Sequence, residues 1–203
     1  MKDLILLVPD KNTESGIEAL INRFDSLHIR SVTYDIFRYP QRDPGIWKRA
    51  DQFLRSFSNQ YSFALTLFDY EGSGEMDQSI DEMTENLKTR LENNGWTARS
   101  DVIIFNPEVE IWIWVDSIHT SSSLGWNSYQ KLKEWLIEQN LWDTNALKPS
   151  RPKEAMESAL LYKRIQRSSS LYAKIARYVS LQSCHDPTFD RFKQILQKWF
   201  PYK

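Results

Sequence analysis

Phe63-Ala64-Leu65-Thr66-Leu67-Phe68 runs without interruption into Asp69-Tyr70-Glu71-Gly72. An apolar run of this length, stopped by a turn former, has the composition of a buried strand. Two further stretches share the design. Leu4-Ile5-Leu6-Leu7-Val8 leads into Pro9-Asp10, with Glu14 just beyond. Val102-Ile103-Ile104-Phe105 leads into Asn106-Pro107-Glu108-Val109-Glu110. In an open α/β sheet, ligands gather outside the carboxyl ends of the strands. Three such ends bearing acids make a pocket of oxygen ligands, the kind of site that hard divalent ions prefer.

Between these runs the periodicity changes. Behind Asn12-Thr13-Glu14, which offers a helix cap, Ile17, Leu20, Ile21 and Phe24 recur at helical spacing. Ser31 to Phe37 alternates as a further strand, and a helix is expected from Ile46 to about Phe57. A polar helix is expected from about Met76 to Asn93, stopped by Asn94-Gly95. Ile111-Trp112-Ile113-Trp114-Val115 fits either a fifth strand or the opening of a helix. Strands alternating with helices define an α/β class, a mostly parallel sheet flanked by helices. From Asn127 the texture is helical, with Lys148 to Pro152 as a linker. The organisation expected is an α/β core over residues 1–126, with a basic helical C-terminal region, 127–203, packed on it.

Composition narrows the chemistry. One cysteine, Cys184, excludes an intrachain disulfide and a cysteine-built zinc site. Three scattered histidines leave little basis for a His-rich metal site or a Ser-His-Asp relay. No apolar run is long enough to span a bilayer, and Lys2-Asp3 opens no signal peptide, which together suit a cytoplasmic protein. The net charge of −1 hides a polarity. Residues 1–146 hold 14 Lys+Arg against 23 Asp+Glu, and residues 147–203 hold 12 against 4. Such asymmetry marks either a nucleic-acid partner for the basic part or attraction between the two halves of one fold.

The acids suggest specific roles. Asp69 and Glu71 stand two residues apart and project to one side if the strand continues through them. Asp10 and Glu110 would add oxygens from neighbouring strands, with Glu14 and Glu108 as further candidates. Such a group suits Mg²⁺ or Mn²⁺, which bind through few carboxylates and accept phosphate oxygens. The same acids can serve merely as turn residues and helix caps. Gly72-Ser73-Gly74 leaves room for a ligand but lacks the Lys-Ser/Thr of a nucleotide-hydrolysing loop. Arg42, in Arg42-Asp43-Pro44-Gly45, reaches toward a phosphate or belongs to a plain turn. Trp112 and Trp114 line a base-binding slot or pack in the core.

The order of these acids resembles that of TOPRIM-like proteins, the fold shared by topoisomerases, primases and OLD-type nucleases. There a Glu ends the first strand and an Asp-x-Asp ends a later one. Here the corresponding stretches read Leu6-Leu7-Val8-Pro9-Asp10-Lys11-Asn12 and Asp69-Tyr70-Glu71-Gly72-Ser73-Gly74. Asn106-Pro107-Glu108-Val109-Glu110-Ile111-Trp112 is similar to a signature of a bacterial subgroup linked to phage defence. Arg151-Pro152-Lys153-Glu154-Ala155 and Cys184-His185-Asp186-Pro187-Thr188-Phe189 extend the likeness to the small TOPRIM-like components of methylation-associated defence systems. Asp10 replaces the usual Glu, and Glu71 the second Asp of Asp-x-Asp.

The resemblance implies a TOPRIM-like core and a part in anti-phage defence. The activity expected is that of a Mg²⁺-dependent nuclease or nuclease subunit, with Asp10, Asp69, Glu71 and Glu110 holding the metal. Arg42, Lys153, Lys163, Arg164, Arg167, Lys174 and Arg177 would meet DNA or RNA phosphates, and other defence subunits would be partners. The alternative is a degenerate, non-catalytic scaffold or sensor subunit. A small-molecule phosphotransferase or phosphatase is a third option, since fold does not fix function.

Overall fold

A computed structural model describes residues 1–202. Four strands, β1 (Lys2–Val8), β2 (Tyr34–Arg38), β3 (Tyr61–Asp69) and β4 (Ser100–Phe105), form one all-parallel sheet in the order β2-β1-β3-β4. The central strands are apolar on both sides because both sides are covered. Leu4, Leu6, Leu65, Leu67, Ile103 and Phe105 face one layer, and Ile5, Leu7, Ala64, Phe68, Val102 and Ile104 the other.

The second layer is α3 (Arg42–Arg55) and α5 (Ile80–Leu91), which bury Ile46, Ala50, Leu54, Met83 and Leu87. The first layer is α1 (Lys11–Ile21) together with α10 (Pro187–Trp199), whose Phe189, Phe192, Ile195 and Leu196 lie in the same core as β1. α10 thus completes the first layer beside α1, although its sequence lies at the far end of the basic region. Two short helices, α2 (Phe24–Leu27) and α6 (Ile118–Ser123), lie in the connections, and a third cluster joins Ile113 and Trp114 to α7 (Tyr129–Glu138), α8 (Pro152–Tyr162) and α9 (Ser169–Tyr178). Among the described residues no helix is long and apolar enough to cross a membrane.

Several local expectations are corrected. α1 begins at Lys11, and Asp10 caps it by accepting the Thr13 N–H at 2.9 Å. α3 begins at Arg42, since Pro44 in a first turn needs no hydrogen-bonded N–H. α5 begins later than expected, where Ser79 and Glu82 form a reciprocal capping box. Ile111–Val115 is neither a strand nor a long helix. A single 3₁₀ turn, Val109–Trp112, leads into irregular chain whose side chains are buried. Trp112 and Trp114 are core residues, 7% and 2% exposed, and their indole N–H groups reach Thr188 Oγ1 and the Pro152 carbonyl.

Candidate metal centre

Strand order places the acids. The chain leaves β1 into α1 on one face. It leaves β3 into α4 (Tyr70–Ser73) and then α5 on the other face. Neighbouring strands whose exits diverge leave a crevice between them, the topological switch point where open α/β sheets bind ligands. Asp10 follows β1 on one side of this crevice, and Asp69 ends β3 on the other.

Asp69 is fixed from two directions. Its Oδ1 accepts the Val109 N–H at 2.9 Å, and its own N–H donates to Asp43 Oδ1 at 2.8 Å. β1 has ended at Val8, so the Asp43 carboxylate, carried on the first turn of α3, partners this N–H in place of a strand carbonyl. β4 then delivers Glu108 and Glu110. One carboxylate oxygen from each of Asp69, Glu108 and Glu110 lies within 4.8 Å of the others.

The basic C-terminal region reaches into this group. Lys153, on α8, donates to Glu108 Oε1 at 2.9 Å. Arg167, between α8 and α9, donates to Glu110 Oε1 at 2.6 Å and to Glu157 at 2.7 Å. Tyr172 on α9 donates its hydroxyl to the same Glu110 oxygen and accepts from Arg167 Nε at 2.8 Å. Glu110 is 1% exposed, and its second oxygen, Oε2, is buried without a hydrogen-bond partner. A buried carboxylate oxygen without a partner is costly in a dry site and marks a place for a proton or a cation.

The electrostatics agree. Burial holds the Asp69 carboxyl well above the usual carboxylate range, and the charges of Asp43, Glu110 and Glu108 add to the effect. Burial also raises Glu110, against the Tyr172 hydrogen bond and the Arg167 charge. Asp43 is raised by burial and, to a smaller extent, by the charge of Asp10. Asp10, Asp43, Asp69, Glu108 and Glu110 thus form a five-carboxyl group against two cations, Lys153 and Arg167. That excess, the converging oxygens and the orphaned Oε2 fit a divalent ion, and the acidic triad of half-buried Asp69 and Glu108 with buried Glu110 can hold one.

Not every expected residue joins the group. β3 ends at Asp69 and the chain turns into α4, so Glu71 does not share a strand face with Asp69 and lies exposed. Glu14 pairs instead with Lys11 and Arg38, at 3.2 and 3.1 Å. Of the expected phosphate contacts, Lys153 and Arg167 are engaged by the acids. Lys163 sits 4.1 Å from the Trp126 ring centre, while Arg42, Arg164, Lys174 and Arg177 are exposed. Asp43 and Tyr172 belong to the site and were not expected. Asp43 was hidden in a turn-like Asp-Pro-Gly, and Tyr172 in the apolar stripe of a helix. Gly72, expected to leave room for a ligand, leaves room for Asp43, because a Cβ there would stand 2.7 Å from Asp43 Cγ.

No protein-family model, curated protein or solved structure matches the chain.

Proposed function

We propose that this protein is a divalent-metal-dependent phosphodiester hydrolase, a TOPRIM-like nuclease or nuclease subunit of a bacterial phage-defence assembly acting in the cytoplasm. The observation that supports this most is the convergence of Asp69, Glu108 and Glu110 beyond the ends of β3 and β4, together with the buried, unpartnered Oε2 of Glu110. Those three carboxylates would hold Mg²⁺ or Mn²⁺, and Asp10 and Asp43 would flank it. An ion held there supplies Lewis-acid polarisation of a phosphate and activation of a water for in-line attack. The protein's own groups supply orientation. Val109 N–H and Asp43 fix Asp69, while Tyr172 and Arg167 fix Glu110. Lys153 and Arg167 place positive charge where phosphate oxygens would arrive.

One observation favours a second role. Lys153 and Arg167 already neutralise two of the acids from within the chain. This is how a degenerate TOPRIM-like scaffold or sensor subunit would keep a former metal site folded without metal. Mutation separates the two roles. Asp69→Asn and Glu110→Gln are near-isosteric, so both variants should accumulate and keep their partners. If the site is catalytic, each abolishes Mg²⁺- or Mn²⁺-dependent cleavage of nucleic acid and phage protection in cells. Two variants that accumulate and protect as wild type would refute the catalytic role and leave the scaffold.

A further inference from the structure

The acids occupy only one side of Asp10. Toward the β2 edge the surface changes sign. A cleft of about 560 Å³ opens between the first turn of α1 and the chain leaving β2, lined by Asp10, Lys11, Glu14, Arg38, Tyr39 and Arg42 among others. Lys11 and Arg38 both reach the single carboxylate of Glu14, and more than half of each of their side chains stays open to solvent. The cleft's two acids, Asp10 and Glu14, are matched by these two cations. Arg42 adds a third cation, exposed and with no side-chain hydrogen bond or ion pair among the described residues. Its backbone is held at φ 50°, in the left-handed region that strains a non-glycine residue. That strain is kept although the guanidinium gains no partner inside the protein, and strained residues of this kind cluster at ligand clamps. Asp43, the next residue, supports Asp69, so cleft and metal centre share one turn of α3.

We propose that this cleft receives the phosphodiester backbone of a single nucleic-acid strand. Lys11, Arg38 and Arg42 hold phosphates adjoining the one at the carboxylates, and Tyr39 lies beside a base. The proposal rests on the acids being a hydrolytic centre for phosphodiesters, and it names how that centre's substrate is held. The volume suits one or two nucleotide units and falls far short of a duplex. Cations meeting phosphates fix position without reading sequence, and an aromatic beside them is the usual furnishing of a single-strand groove.

The test measures affinity of the full chain for a labelled single-stranded oligonucleotide in EDTA, across a range of salt concentrations, with a duplex of the same sequence beside it. Each phosphate contact on a single strand contributes about 0.7 to the log–log salt slope. Lys11→Gln/Arg38→Gln/Arg42→Gln should therefore lower the slope by about 2 and weaken binding about a hundredfold at 0.1 M salt relative to 1 M. Lys131→Ala, an exposed cation on α7, controls for lost charge. Arg42→Gln alone should weaken binding about fivefold and melt as wild type, which keeps the test sound if the triple variant unfolds. Unchanged slope and affinity in these variants, no binding by wild type at low salt, or tighter binding of duplex than of single strand would each overturn the cleft. Hydrolysis of bis(p-nitrophenyl) phosphate with Mn²⁺, a diester too small to need the cleft, reports separately on the carboxylates. Its absence in wild type that still binds the strand would count against the hydrolytic role and not against the cleft.

Discussion

Replacing Asp69 with Asn should make the metal-free protein more stable, and at the same time deaf to magnesium. Two carboxylates 4.8 Å apart repel by about 3.5 kcal/mol at the effective dielectric of about 20 that suits buried sites. Asp69 faces such repulsion from Glu108, Glu110 and Asp43. Lys153, Arg167 and retention of a proton offset most of it, so removing the Asp69 charge should gain about 1–2 kcal/mol net. Asn can still accept the Val109 N–H through its Oδ1. For a domain of this size the gain is a rise of about 2–8 °C in Tm. The pH dependence has a definite sign. A carboxyl held above its ordinary range binds its proton more tightly in the folded state. Its contribution favours folding below the ordinary carboxylate range and is lost as pH rises through the folded value. Without metal, the advantage of Asp69→Asn should therefore be small near pH 4 and larger at pH 8. Mg²⁺ at a hundred times its Kd should stabilise wild type by about 2.7 kcal/mol, about 5–10 °C, and the variant hardly at all. Calorimetry at both pH values, in EDTA and in Mg²⁺, reads all four arms. A variant that melts below wild type in EDTA at pH 8, and gains as much from Mg²⁺, would refute the electrostatic account of the site.

Arg167→Met leaves Glu110 and Glu157 without their cation and should cost about 3 kcal/mol in EDTA, with a larger Mg²⁺ response than wild type, both visible in melting curves. Gly72→Ala drives a methyl into Asp43 and should cost about 1–3 kcal/mol by chemical denaturation. Adding Asp43→Ala to it should recover part of that loss, since the obstructing carboxylate is then gone. Glu71→Gln, at an exposed position outside the acid group, should leave the Mg²⁺-induced shift in Tm unchanged.

The parts of the fold legible in the sequence are those fixed by burial alone. Three unbroken apolar runs became β1, β3 and β4, because strands covered on both faces need no alternation. The acids at their ends could be listed for the same reason. What could not be read was which acids meet, since that depends on strand order and on the path taken just past each strand. Asp69 and Glu71 would share a face only if the strand ran on, and a single turn of helix sends Glu71 away. Glu108, two residues before Glu110, joins because the chain beyond β4 turns back toward Asp69, where Val109 donates to it. Asp43 lies 26 residues before Asp69, and no local pattern links a first-turn helix acid to a distant strand end. The charge asymmetry was legible, and its two explanations were both open. Lys153 and Arg167 show the halves attracting one another within the fold.

The place of α10 in the sheet's first layer has a consequence for the order of synthesis. A chain emerging from the ribosome completes all four strands by Phe105, yet the helix that covers half of one face begins only at Pro187. Until then Leu65, Leu67, Ile103 and Phe105 have no lid, and Phe63 waits for Trp199, on which it stacks at 4.7 Å. The nascent sheet is thus sticky from the completion of β4 until α10 emerges, and a chaperone that shields apolar strands is the natural companion of that interval. Cutting the gene between sheet and helical region would make this transient exposure permanent.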